Sequence, residues 1–158
     1  MSTELERIEE QLRRSFEGEA WHGPSVLETL EDVTPEAAAD RPVPGAHSIW
    51  ELVLHLAATY RVVLRRLEGN SAQLTPDEDW PAVPPPTSSN WRAAVGSLQQ
   101  LNQQLRSAVL DFNPGRLDQP LAGESYSAYT QFIGVTQHDL YHAGQIALLR
   151  KGLREAMR

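Results

Sequence analysis

The sequence predicts an all-α fold, a four-helix bundle, on three observations. In four long segments the apolar residues recur at spacings of three and four, the period of a helix with one buried face. Clusters of proline and glycine separate these segments. No two neighbouring segments show the alternation of apolar and polar residues that a pair of β-strands would have. A chain of 158 residues, 41% hydrophobic and 22% charged, can bury one core, so we expect a single domain over residues 1–158.

The predicted long helices are four: residues 3–17, 48–67, 90–112 and 127–150. Ser48 and Glu51 form a capping box at the start of the second helix, directly before an apolar run. The last helix is expected to end at Gly152, because glycine commonly follows a helix. Short extra helices are expected in the first connection, one opened by Pro24 and another capped by Thr34.

Residues 71–87 are predicted to be a connection without a helix, because proline removes a backbone donor and clashes inside a helix. Five prolines lie there: Pro76, Pro81, Pro84, Pro85 and Pro86. A connection of this length in a compact domain is often functional or mobile. Together with residues 117–126, it is expected to shape a pocket.

The composition excludes several classes of protein. The chain has no cysteine, which rules out disulfides, thiolate metal sites and cysteine nucleophiles. Its formal net charge of −7 disfavours binding to a nucleic-acid backbone. No apolar run approaches the ~18 residues of a membrane span, and the first residues lack the apolar core of a signal peptide. We therefore expect a cytoplasmic protein that binds neither nucleic acid nor membrane.

His138 and His142 are the most informative pair in the chain. Residues four apart lie one above the other on a helix, so the two imidazoles share a face of the last predicted helix. His55, near the buried face of the second helix, is the candidate third ligand for a divalent metal ion. Three histidines leave a coordination position open, which is typical of catalytic sites. The alternative is surface histidines, or core histidines hydrogen-bonded to other side chains.

Three polar residues are candidates for the surroundings of such a site. Glu51 and Thr59 lie one turn on either side of His55. Glu51 either completes the capping box alone or also accepts a hydrogen bond from His55. Gln145 shares the histidine face and is either a contact of the site or part of an interhelical hydrogen bond.

Other side chains are assigned less specific roles. His47 and His22 lie at helix boundaries and could approach a site at the end of the bundle, and Tyr141 adjoins the histidine pair. Asp139 points away from the histidine face, so we expect it to be solvated or to pair with another helix. The tryptophans are expected to pack in the core and loops or to wall a pocket: Trp21, Trp50, Trp80 and Trp91. No serine or tyrosine has an identifiable base partner, so no nucleophilic triad is predicted.

Two segments resemble the signature segments of the DinB/YfiT-like superfamily of metal-dependent enzymes. They are residues 45–55, with the sequence GAHSIWELVLH, and residues 137–150, with the sequence QHDLYHAGQIALLR. Residues 21–25, WHGPS, are similar to a third segment of the same group. The resemblance spans nearly the whole chain in order, and the second segment is specific.

This resemblance implies a bundle of up-down-down-up topology and a homodimer. It also implies one divalent metal ion per chain, zinc or nickel, with water completing the shell around three ligands: His55, His138 and His142. Related sequences often carry a histidine immediately before the glycine in the last helix, where this chain has Ile133-Gly134. Any chemistry that this histidine performs in relatives is therefore missing here.

The resemblance also guides the expected function. Its characterised branches include enzymes that use low-molecular-weight thiols, as S-transferases or as an isomerase, and members described as hydrolases. We expect a metal-dependent enzyme acting on small molecules, similar to a thiol S-transferase, with metal-bound water or thiol as the nucleophile. The alternatives are a metal-dependent hydrolase, a non-catalytic metal-stabilised binding module in a stress response, and a metal-free structural bundle.

Overall fold

The computed structural model describes the backbone of residues 1–156 and the side chains up to residue 153; the end of the predicted domain lies outside the described residues. Within this range there is no strand, only an isolated bridge, so the all-α prediction is confirmed. The α-helices are α1 (Glu4–Glu17), α2 (Val26–Leu30), α3 (Pro35–Ala39), α4 (Ile49–Leu67), α5 (Pro76–Asp79), α6 (Ser88–Leu110) and α7 (Ala128–Ala156). Among the described residues, none of these helices combines the length and the hydropathy needed to cross a membrane.

The four long helices α1, α4, α6 and α7 pack into the predicted bundle, with α2 and α3 in the first connection. The middle pair, α4 and α6, runs parallel. Trp50 packs on Trp91 near the two helix starts, with ring centroids 5.0 Å apart, and Arg61 reaches Ser97 further along both helices. A parallel middle pair is what the up-down-down-up order requires.

The parallel α4 and α6 explain the long connection between them. The 19 residues of α4 span about 28 Å, and the chain must return over that length before α6 begins. The prediction that this connection contains no helix is wrong at one turn, α5. Thr75 caps α5 and Pro76 occupies its first position, where the amide that proline lacks has no helical partner to lose.

The predicted helix ends need two corrections. Helix α7 continues through Gly152 to Ala156, because an interior glycine costs a helix only about 1 kcal/mol and does not have to end it. Helix α2 begins after Ser25, which forms a capping box with Glu28, so Pro24 precedes the helix and does not open it. The other long helices begin and end within a few residues of the predicted bounds.

Every long helix buries at least one polar side chain in the core, among them Ser15, Tyr60, Asn102 and Asp139. The Tyr60 hydroxyl donates to Asp139 Oδ1 at 2.8 Å, and Ser15 Oγ lies 3.1 Å from Asp139 Oδ2. The predicted solvation of Asp139 is therefore wrong, and the alternative of helix pairing is observed. The reason is that α7 packs against α1 as well as α4, so the face away from the histidines is also buried.

Candidate metal centre

Helices α4 and α7 bring the three predicted histidines together. His55 Nε2 lies 3.0 Å from His138 Nε2, and His142 Nε2 lies 3.1 Å from the same atom. One ring nitrogen of each residue lies within 4.8 Å of the other two. The side chain of His55 is 12% exposed and His142 is 6% exposed, so the cluster is largely shielded from solvent.

Two of the rings turn their Nδ1 atoms towards hydrogen-bond acceptors. His55 Nδ1 lies 3.0 Å from the carboxylate Oδ1 of Asp79 and 3.1 Å from the carbonyl oxygen of the same residue. His142 Nδ1 lies 2.6 Å from Gln145 Oε1. Each acceptor requires a proton on Nδ1, so neutral His55 and His142 carry none on Nε2. Both rings therefore direct an Nε2 lone pair at the centre of the cluster.

His138 lies between the other two rings and is held neutral by its surroundings. Burial, with smaller contributions from His142 and His55, lowers the pKa of His138 to about 3. Burial also lowers the pKa of His142. Imidazole must be neutral to bind a metal ion, and both rings meet that condition at neutral pH.

The three nitrogens fit one divalent cation. A proton on His138 Nε2 can be donated to only one neighbour, which would leave another buried Nε2 without a donor at a cost in free energy. Zinc binds imidazole nitrogen at about 2.0–2.1 Å, which puts neighbouring ligand nitrogens of a tetrahedral site about 3.3–3.4 Å apart. The separations of 3.0 and 3.1 Å are a few tenths of an ångström shorter, so the rings need only a small outward shift to hold the ion. A set of neutral imidazoles also suits nickel.

An aromatic stack packs against His55. The Trp80 ring, directly after α5, is parallel to the His55 ring with centroids 4.0 Å apart, and the His47 ring stacks on the same indole at 3.6 Å. The stack fixes the plane in which the His55 ring lies. Asp79, by accepting a hydrogen bond from Nδ1, fixes the direction in which the ring atoms point within that plane. The long connection therefore supplies two side chains that hold one histidine of the cluster.

The sequence did not single out Asp79, and it assigned Trp80 only a general packing role. The signal that could have found them is the sequence from Thr75 to Glu78, a capping pattern with proline at the first helical position. That pattern predicts one turn of helix inside the connection. It does not predict where the turn docks, which depends on the path of the whole connection.

The predicted neighbours of the cluster occupy different places. Gln145 contacts His142 directly, as described above. Glu51 completes the capping box with Ser48 and pairs with Arg41 and His47, so the acceptor facing His55 is Asp79 instead.

The remaining candidates lie at the margin of the cluster or outside it. Thr59 is half-buried and makes no side-chain hydrogen bond among the described residues. Tyr141 is 66% exposed and meets His142 edge-on, with ring centroids 5.2 Å apart. His22 is exposed in the turn between α1 and α2, where it takes no part in the cluster.

A comparison with known families assigns the chain. The family model described as the DinB superfamily matches residues 20–146, a range that includes all three histidines. The chain belongs to the DinB superfamily. Comparisons with curated proteins and with solved structures gave no match. Membership of the DinB superfamily confirms the resemblance of the signature segments, and the three-histidine cluster could hold a metal ion.

Proposed function

We propose that His55, His138 and His142 bind one divalent metal ion, zinc or nickel, and that the protein is a metal-dependent enzyme acting on small molecules. One observation carries the proposal. Three imidazoles that are largely shielded from solvent direct Nε2 at a common point, while acceptors behind two of them hold the protons on Nδ1. Three protein ligands leave room for a small molecule, as in catalytic centres.

The residues around the histidines have defined tasks in this proposal. Asp79 and Gln145 fix the tautomers of His55 and His142 and increase the basicity of their Nε2 atoms. Burial keeps His138 neutral. When bound, a divalent ion supplies Lewis acidity, which lowers the pKa of a thiol or water ligand towards neutrality.

For the reaction itself, we propose a thiol S-transferase-like activity that joins a low-molecular-weight thiol to a small electrophile. The family resemblance supports this choice, since characterised branches use such thiols. The sequence is consistent with it, because a chain without cysteine has no thiolate of its own to compete for the ion. In this reaction the S–H bond of the thiol breaks and its proton passes to solvent, the sulfur forms a bond to an electrophilic carbon, and the bond from that carbon to its leaving group breaks, so that the leaving group departs with the electron pair.

Two other functions use the same centre. A metal-dependent hydrolase differs only in that water takes the place of the thiol. A non-catalytic binding module in a stress response would keep the ion for stability or ligand binding and would catalyse nothing.

Metal analysis tests the first part of the proposal. Purified protein incubated with zinc or nickel and then desalted should retain stoichiometric metal, and His55→Ala and His142→Ala should lose it. His22→Ala is the matched control, because His22 is exposed and outside the cluster. Failure of the unaltered protein to retain either ion would refute the metal centre.

Two substrate panels then separate the three functions. The first combines small electrophiles with bacillithiol, mycothiol or glutathione, and the second contains esters and amides. Metal-dependent turnover in the first panel that disappears in His142→Ala supports the transferase, and turnover in the second panel alone supports the hydrolase. A metal-loaded protein that is inactive in both panels points to the binding module.

A further inference from the structure

A cavity of about 330 Å³ opens beside the histidine cluster, between α7 and the residues that lead into α4. Two of its lining residues also contact the surroundings of the histidines. Gln145 bonds to His142, and His47 stacks on the Trp80 ring that covers His55. The cavity therefore adjoins the side chains that surround the cluster.

The wall of this cavity is apolar and carries no formal charge from Asp, Glu, Lys or Arg. Leu52 and Leu149 are buried and form its floor, while Val43 and Leu148 at its rim are 43% and 67% exposed. His47 and Gln145 supply its polar side chains. A charged ligand group in this space would lose its hydration, and the one titratable side chain of the lining, His47, already contacts Glu51.

The size of the cavity limits what it can hold. Pockets for small ligands usually measure about 300–1,000 Å³, so this one is at the low end of the range. It suits a short alkyl or acyl chain or a single ring. Such a group would also cover the exposed apolar atoms of Val43 and Leu148, which favours binding because apolar surface leaves water.

We infer that the cavity binds a short, uncharged, apolar part of the substrate while the reacting group of the substrate reaches the histidine cluster. The inference rests on the proposed function in one respect, since that function makes the cluster the reacting centre. The preference of the cavity for apolar chains follows from its wall and is independent of the metal. The apolar preference of the cavity and the metal-dependent function of the cluster can therefore be disproved separately.

Two series of probes of increasing chain length test the inference: n-alkanols from ethanol to octanol and the matching n-alkanethiols. Their dissociation constants would be measured calorimetrically with the zinc-loaded and the metal-free protein. Each added methylene should tighten binding roughly fourfold until the cavity is full, after which affinity should stop rising. In the metal-free protein, carboxylates of equal length should bind more weakly than the alkanols.

Two variants link the effect to this cavity. Ala46→Leu places a larger side chain in the lining, and Leu148→Gln makes the rim polar at an exposed position whose replacement does not threaten folding. Both variants should reduce the increase in affinity for each added methylene from roughly fourfold to below about twofold. Leu110→Gln is the matched control, because Leu110 is 45% exposed at the far end of α6 and should leave the gain unchanged.

The outcomes distinguish the cavity from the metal centre. An affinity that does not depend on chain length, a gain that survives in both cavity variants, or carboxylates that bind the metal-free protein more tightly than alkanols would overturn the inference. If thiols bind more tightly to the zinc-loaded protein but their affinity does not rise with chain length, the metal centre is supported and the inference about the cavity is refuted. A chain-length gain without any effect of zinc would support the cavity and count against the proposed function.

Discussion

The position of one proton on each of two histidines determines what the cluster can bind. A neutral imidazole carries its proton on either nitrogen, and only the ring with a bare Nε2 can offer a lone pair to the shared centre. Asp79 and Gln145 select that form for His55 and His142. Side chains that never touch a metal ion are therefore expected to influence its affinity.

Replacement of Asp79 tests this expectation. Asp79→Ala removes the carboxylate at 3.0 Å but keeps the carbonyl oxygen at 3.1 Å, so the tautomer of His55 is weakened and not lost. We expect the zinc dissociation constant to rise about 10-fold, the low end of the 10–100-fold range for such partners. Competition with a chromophoric chelator measures it.

Asp77→Ala is the control for this variant, since Asp77 is exposed on the same turn of α5 and contacts none of the histidines. Thermal unfolding of both variants without metal shows whether the connection is still folded. Equal zinc affinity in Asp79→Ala and in the unaltered protein would show that the carboxylate plays no part.

Among the elements, the connection from α4 to α6 is held at several places, including the pair of Glu78 with Arg65 of α4. Near its start, Ser71 packs against Gly123 in the next connection, and the Gln73 side-chain amide donates to the Gly123 carbonyl at 3.3 Å. Near its end, Asp79 and Trp80 dock on His55. The contact with Gly123 fixes the path along which α5 reaches the cluster.

Two glycine substitutions should have opposite effects on stability. Gly123 has a φ of +79°, and a Cβ there would lie 2.7 Å from the Ser71 carbonyl oxygen, so Gly123→Ala should lower the free energy of unfolding by more than about 1 kcal/mol.

Gly96 is exposed within α6, and a methyl group added there would meet no atom within 4 Å. Gly96→Ala should therefore raise the free energy of unfolding by about 0.5–1 kcal/mol. Urea denaturation measures both, and a stabilised Gly123→Ala variant would contradict the close packing of the two connections.

At the scale of the whole molecule, a buried hydrogen-bonded chain ties three of the long helices together. The Tyr60 hydroxyl donates to Asp139 Oδ1, and the Ser15 hydroxyl lies within hydrogen-bond distance of both Asp139 Oδ2, at 3.1 Å, and the Leu12 carbonyl, at 3.0 Å. Serine has one proton for these two acceptors, so a proton on Asp139 would supply the donor that one of the two contacts lacks. Burial accordingly raises the pKa of Asp139 to about 7.

This arrangement predicts a pH dependence of stability in the metal-free protein. Between the ordinary pKa of 3.8 and about 7, folded Asp139 holds a proton that the unfolded chain releases, so its contribution to stability falls as pH rises through this window. Asp139→Asn keeps a neutral hydrogen-bond donor at residue 139, so the part of the stability that falls with rising pH should no longer depend on pH in this variant. Relative to the unaltered protein, the variant should gain stability between about pH 4 and about pH 8, by at most a few kcal/mol. Urea denaturation across this range checks it, and parallel pH profiles would show that Asp139 is ionised in the folded state.

The sequence was sufficient for the bundle and for the three histidines because both follow from helical periodicity. His138 and His142 share a face by spacing alone, and His55 lies on a helix whose start Ser48 and Glu51 define. These relations are local, or need only the rule that apolar faces of helices meet. The predicted homodimer is not addressed by a single chain and stays a prediction.

The residues that the sequence did not assign depend on long-range packing. Asp79 and Trp80 reach His55 only because parallel α4 and α6 force the connection back along the bundle. The burial of Asp139 depends on α7 having neighbours on two sides, which a single helical stripe does not reveal. In both cases the missing information is which elements lie side by side.

The candidate ligands and the side chains that orient one of them lie on different elements. The three histidines belong to α4 and α7, whereas Asp79 and Trp80 belong to the connection between α4 and α6, which contributes no candidate ligand among the described residues. A substitution or a change of length in this segment can alter the basicity and tilt of His55 without removing a histidine. We therefore expect that changes in residues 68–87 would adjust the metal affinity of the proposed centre while the four long helices keep their packing.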